Sequence, residues 1–114
     1  MKIVKDSITI EELKETAPKI FGNLVKAVVD VEKNIIAVDA ELHSDLMEFM
    51  MEQEGSEPKN LWGINFYPEL TGNDFIEFDS MINLKPGLGN RTRGVESKEA
   101  QEKIREIVAK LIKE

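Results

Sequence analysis

The sequence predicts an α+β domain: a mainly antiparallel four-stranded sheet, built from two hairpins, with about three helices on one face in a two-layer arrangement. Three observations predict it. Two β-branched runs, Val25 to Val31 and Ile35 to about Leu42, are separated only by Glu32-Lys33-Asn34, a connection with the length and polarity of a hairpin loop. A second pair, Leu61 to Tyr67 and Phe75 to Leu84, flanks the turn-forming run Thr71-Gly72-Asn73-Asp74. After Ser97, the residues Ala100, Ile104, Ile107, Val108, Leu111 and Ile112 recur at helical spacing and make one apolar stripe.

The remaining elements fit around these in chain order. Lys2 to Val4 supplies a short leading strand. Thr9-Ile10-Glu11-Glu12 has the form of a capping box, in which hydroxyl and carboxylate each satisfy a backbone donor, so a first helix begins near Ile10. Its stripe is Leu13, Ala17, Ile20, Phe21 and Leu24. Pro18 predicts a kink or break, and Gly22-Asn23 ends the segment. A second helix is expected over Asp45 to Gln53 with Ser44 as its N-cap, burying Leu46, Phe49 and Met50. In the strand from Leu61, Trp62, Ile64 and Phe66 share one face, while in its partner Ile76, Phe78, Ile82 and Leu84 are expected inside and Glu77, Asp79 and Asn83 outside. Ser97 caps the closing helix.

At 114 residues the chain has the size of one domain, spanning 1–114, without linker or repeat. Apolar residues make up 41% and charged residues 32%, a globular mixture. There is no long apolar run and no export pattern after Met1, so the expected location is the cytoplasm and no membrane partner is expected. Without cysteine, the chain has no disulfide framework, thiolate nucleophile or cysteine zinc site. A net charge of −7 and a pI near 4.8 argue against extended nucleic-acid binding, which needs a broad basic surface. Sixteen glutamates and twelve lysines lean towards a thermophilic surface, against which five methionines and seven asparagines weigh.

Against this acidic background, residues 83–94 form a carboxylate-free run holding two of the three arginines and three of the seven glycines. Glycine admits close backbone approach, and arginine forks match phosphate or carboxylate oxygens. The expected anion site therefore comprises Gly87, Gly89, Asn90, Arg91 and Arg93, completed by Ser97 at the following helix start. The spacing is neither a Walker motif nor a dinucleotide fingerprint. Arg91 and Arg93 pairing with the protein's own carboxylates is the plainer alternative.

A second candidate lies at Asp39, Glu41 and His43, which alternate so as to line one strand face, with Asn65, Glu77, Asp79 and Asn83 offered by neighbouring strands. Carboxylates with imidazole suit a divalent metal or a divided acid–base pair, and Asp79 would assist. The plainer alternative is a solvated sheet face or a charged dimer interface. Trp62, Phe66 and Phe78 alternate as a core layer. Met47, Met50 and Met51 fill core space, with any exposed remainder offering a partner patch.

The runs Asn60-Leu61-Trp62-Gly63-Ile64-Asn65, Phe75-Ile76-Glu77-Phe78-Asp79-Ser80-Met81-Ile82-Asn83 and Gly89-Asn90-Arg91-Thr92-Arg93-Gly94-Val95-Glu96 resemble a family of small prokaryotic proteins of unknown function, about one domain long. The resemblance covers nearly the whole chain and implies a compact stand-alone domain. It implies no activity, cofactor or catalytic residue. The functional expectation rests on the residues themselves: a binding or interaction domain, able to self-associate, engaging an anionic small molecule or acidic protein surface through residues 85–94, with enzymatic activity left open. The alternative is a small metal-assisted hydrolase built on Asp39, Glu41 and His43.

Overall fold

The structure, a computed structural model, describes residues 1–20 and 22–114, with only the backbone described for Lys19 and Ile20. Its elements in order are β1 (Lys2–Val4), β2 (Ile8–Thr9), α1 (Ile10–Ile20), β3 (Val25–Asp30), β4 (Ile35–Val38), α2 (His43–Glu54), β5 (Leu61–Phe66), β6 (Ile76–Glu77), α3 (Lys98–Leu111) and β7 (Ile112–Lys113). The class is the one the sequence predicts, α+β, with three helices and an antiparallel main sheet among the described residues. There that sheet has five strands, ordered β1-β4-β3-β5-β6, because the leading strand joins it at the edge. β2 and β7 form a separate parallel pair.

The capping box of α1 is present. The Glu12 N–H donates to Thr9 Oγ1 at 3.1 Å, and the Thr9 N–H reaches back to Glu12 Oε1 at 3.5 Å. Hydrogen bonding, chiefly from the Lys2 ammonium, holds the Glu12 carboxyl below its ordinary pKa. Pro18 does not break α1, which continues to Ile20. Proline this close to a helix end removes only one bond of the last turn. Leu13 and Ala17 are buried as expected, whereas the expected stripe positions at the Ile20 side chain and Phe21 lie outside the described residues.

The β3–β4 hairpin turns through Asp30, whose Oδ1 accepts from the N–H groups of Glu32 and Lys33, both at 2.9 Å. Ser56 Oγ donates to its other oxygen at 2.6 Å, so this buried carboxylate is well supplied with donors. β3 pairs on its other side with β5, in register from Val25↔Phe66 to Asp30↔Leu61.

The layering departs from the two-layer expectation. Val25, Ala27, Val29, Ile36, Val38, Trp62, Ile64 and Phe66 pack with Leu13 and Ala17 of α1 and with Ile104, Ile107, Val108 and Leu111 of α3. The alternate residues Val28, Ile35, Ala37 and Leu61 pack with Leu46 and Met50 of α2. Helices thus cover both faces, giving three layers. The physical reason is readable in β3 and β4, whose strand residues are apolar on both sides wherever α2 lies, as expected of doubly covered strands.

α2 also starts earlier than Asp45. Leu42 is its N-cap residue, without a side-chain cap, and His43 is its first residue. Gly55, at φ 67°, closes it in the left-handed conformation glycine favours. The strand expected over Phe75 to Leu84 is also shorter. Only Ile76 and Glu77 pair with β5, and the chain then folds into short 3₁₀ turns at Met81–Asn83 and Pro86–Leu88. Leu84, expected inside, is exposed, and Asn83, expected outside, is fully buried.

Candidate functional site

The basic loop is built around two asparagine side chains. The Asn83 carboxamide stands in for a strand beside β5: its Oδ1 accepts from the Gly63 N–H at 2.8 Å, and its Nδ2 donates to the Gly63 carbonyl at 2.9 Å. The same Nδ2 donates to the Arg93 carbonyl at 2.9 Å. Asn90, also buried, donates from Nδ2 to the carbonyls of Asn83, Thr92 and Gly94 at 2.7, 3.1 and 2.8 Å, and its Oδ1 accepts from the Glu96 N–H at 2.8 Å. Both amides are saturated by the chain's own backbone.

This corrects part of the anion-site expectation. Asn90 has no donor left for a ligand. The amides of Leu88, Gly89 and Asn90 donate to carbonyls within the tight turn, which Gly89 allows at φ 85°. Ser97 Oγ accepts from the Ala100 N–H at 3.2 Å as the N-cap of α3. The backbone nest further on is occupied by an anion of the protein itself, since the Glu96 carboxylate accepts from the N–H groups of both Arg91 and Thr92.

The two arginines remain. Arg93 forks onto Asp79, with Nε 2.8 Å from Oδ1 and Nη2 3.3 Å from Oδ2. Their side chains are 55% and 44% exposed, so water screens the pair, which is worth at most about 1 kcal/mol. Arg91 is exposed and has no ion-pair partner among the described residues.

The Asp39, Glu41 and His43 column does not form. β4 ends at Val38 and Asp39 turns to φ 76°, a left-handed conformation that ends strand alternation. Glu41 is exposed, and His43 belongs to α2. Among the described residues, no group of three or more His, Asp or Glu side chains is placed to hold a metal ion.

His43 instead joins a different polar group, on the sheet face beyond the end of α2. Its Nε2 lies 2.8 Å from the Ile64 carbonyl, which can only accept, so Nε2 carries the proton and Nδ1 is the basic nitrogen of the neutral ring. Burial pushes the ring's pKa down. The Ile64 carbonyl opposes this, Lys26 reinforces it, and Asp79 and the nearby Asn65 carboxamide oppose it without prevailing. Asn65 is itself buried. Its Nδ2 donates to Glu77 Oε1 at 2.9 Å and to the Asp79 carbonyl at 3.3 Å, while its Oδ1 has no hydrogen-bond partner among the described residues. The Tyr67 hydroxyl donates to the same Glu77 oxygen at 3.0 Å, and burial together with that carboxylate raises the phenol's pKa.

Asp79 links the two regions, through its ion pair with Arg93 and its field at His43. Gly63 is where they touch. A Cβ at that position would lie 2.5 Å from Ser80 Cβ and 3.1 Å from His43 Cδ2. Asn65, Glu77 and Asp79 are polar-face residues that the sequence offers beside His43, and Arg93 is offered for the loop, whereas the Asp79–Arg93 pairing and the parts played by Ser80 and Gly63 are not among its expectations. A lone glycine inside the apolar run of β5 was the available signal, since glycine in a strand marks close approach.

The chain belongs to the family described as a protein of unknown function (DUF5674), whose model matches residues 2–111. No curated protein and no solved structure matches it. Among the described residues, no helix is long and apolar enough to cross a membrane.

Proposed function

We propose that this chain is a binding domain whose Arg91 and Arg93 engage an anionic ligand, either a phosphorylated small molecule or a carboxylate-bearing surface. The observation that carries the reading is the contrast between a tied backbone and released side chains. Asn83 and Asn90 pin the loop through seven hydrogen bonds, yet Arg91 has no ion-pair partner among the described residues. Arg93 is held by one solvent-screened carboxylate. A pinned loop loses little freedom when it binds, which favours affinity. The two guanidinium groups form the clamp, because Asn90, Ser97 and the amides of Leu88 and Gly89 are committed elsewhere.

Asp79 competes with the ligand for Arg93, and this supplies the test. In an amide NMR titration with inorganic phosphate, saturable shifts are expected around residues 91–94. The R91A/R93A double variant is expected to weaken binding about tenfold or more, the loss of two charge-assisted contacts. Asp79→Asn is expected to tighten binding a few-fold by releasing Arg93. Binding that ignores both changes, or that Asp79→Asn weakens, sinks the assignment.

A further inference from the structure

On the α2 side of the sheet a groove of about 460 Å³ runs between the helix and the two 3₁₀ turns. Its walls are Met47, Pro58, Ile82, Leu84 and Leu88, with Lys59 and Lys85. The apolar wall is open to solvent: Leu88 is 57% exposed and Leu84 40%. Met51, one helical turn beyond Met47, is 40% exposed and extends the same strip. Neither Arg91 nor Arg93 lines this groove, so the surface is separate from the anion clamp.

The charges around the strip are ordered. Leu46 and Met50 face the core, Met47 and Met51 lie about 100° further round the helix, and Glu48 and Glu52 a further step on. The strip therefore has glutamates along one border. The lysines belong to the opposite wall, in the chain following α2, where Lys59 Nζ lies 3.3 Å from the Glu57 carboxylate in an exposed, solvent-screened pair. Lys85 donates from Nζ to the carbonyls of Pro58 and Ile82, at 3.0 and 3.1 Å, and lies 5.2 Å from the centre of the Trp62 ring. It has no carboxylate partner among the described residues, so its positive charge stays uncompensated at the groove.

We infer that this groove and the Met47/Met51 strip of α2 are the contact surface for a second copy of the same chain. A strip with Glu48 and Glu52 on one border and a net basic opposite wall, Lys59 and Lys85 against Glu57, is self-complementary under a two-fold axis running along it, because that rotation lays each border against its opposite. An unrelated acidic peptide would match the lysines but meet the glutamates of α2 as like charges. A basic peptide would have the reverse difficulty.

The test is sedimentation velocity of the full chain from micromolar to millimolar concentration. A concentration-dependent dimer is expected. Leu88→Asp is expected to shift the dimer constant by at least about tenfold towards monomer. Because Leu88 is exposed, an unchanged melting profile of the monomer is expected to accompany that shift. The E48K/E52K variant is expected to weaken the dimer, and adding Lys59→Glu to it is expected to restore part of the loss. A chain that stays monomeric throughout overturns the inference, as does a dimer indifferent to Leu88→Asp or a charge reversal without restoration. If a synthetic acidic amphipathic peptide binds the groove of a monomeric chain, the surface is a docking site for a different partner and the inference is likewise overturned.

Discussion

Asn83 and Asn90 on one side, and Asn65 on the other, are all buried amides close to the same strand, but they are completed differently. The first two spend every donor and acceptor on backbone groups of the chain. Asn65 spends its donors on Glu77 and the Asp79 carbonyl and leaves Oδ1 unpaired among the described residues, beside a histidine whose charge is suppressed by burial. A saturated amide network behaves as secondary structure made from side chains, and it fixes the loop that carries the arginines. An unsaturated one retains electrostatic sensitivity, since the cost of an unpaired buried acceptor depends on which neighbours are charged. The comparison teaches that the loop which looked most like a ligand cradle is largely a structural knot, from which the two arginine side chains project exposed.

Gly63 tests both regions at once. Gly63→Ala is expected to destabilise by about 3 kcal/mol or more, because Ser80 and His43 cannot both retreat from the new methyl while Asn83 grips the backbone. Urea denaturation measures this, and a loss below about 1 kcal/mol would show that the two sides are not packed as described. Next in size is Asn90→Ala, which strands the carbonyls of Asn83, Thr92 and Gly94 and the Glu96 amide. A loss of about 2 to 3 kcal/mol is expected, along with faster amide exchange at Glu96. If Asn90→Ala left exchange and stability unchanged, water would be doing the work assigned to the amide.

The unsaturated region is sharpened by pH. The folded-state pKa of His43 lies below the ordinary value of about 6.5, so the neutral ring is favoured by folding. Its contribution is fully present above that ordinary value and is lost as pH falls from about 6.5 towards the folded pKa, the window in which the unfolded chain binds the extra proton. Melting curves across this window are expected to show declining stability, and His43→Gln is expected to flatten that part of the profile. An unchanged slope in the variant would assign it to carboxylates. The smallest effect belongs to Arg93→Ala, whose half-exposed pair with Asp79 predicts a stability change under about 1 kcal/mol. A much larger loss would mean that Arg93 is part of the knot rather than a side chain available to a ligand.

Much of the fold was legible locally. The capping box at Thr9 and Glu12, the β3–β4 hairpin, the alternation of Trp62, Ile64 and Phe66, and the Ser97 cap with its amphipathic helix all depend on residues within a turn or a strand of one another. The site was legible only in part. Asp79 and Arg93 were marked by residue type, but Asp39 and Glu41 were assigned to a strand that the left-handed turn at Asp39 had already ended. Asn83 was placed on the solvent side because alternation was carried past Glu77, where regular pairing stops.

What the sequence determined by itself, then, is the set of elements whose stabilising contacts are close along the chain: helix caps, apolar stripes and the central hairpin. Which face α2 covers, which asparagines replace a strand, and which carboxylate finds an arginine were decided only in the tertiary structure. Asn83 meets Gly63 across 20 residues, and His43 meets Ile64 across 21. Periodicity reports how a segment divides into inside and outside, because both sides of that choice lie within a few residues. It does not report which distant donor and acceptor will meet, because that depends on how the whole chain closes around them.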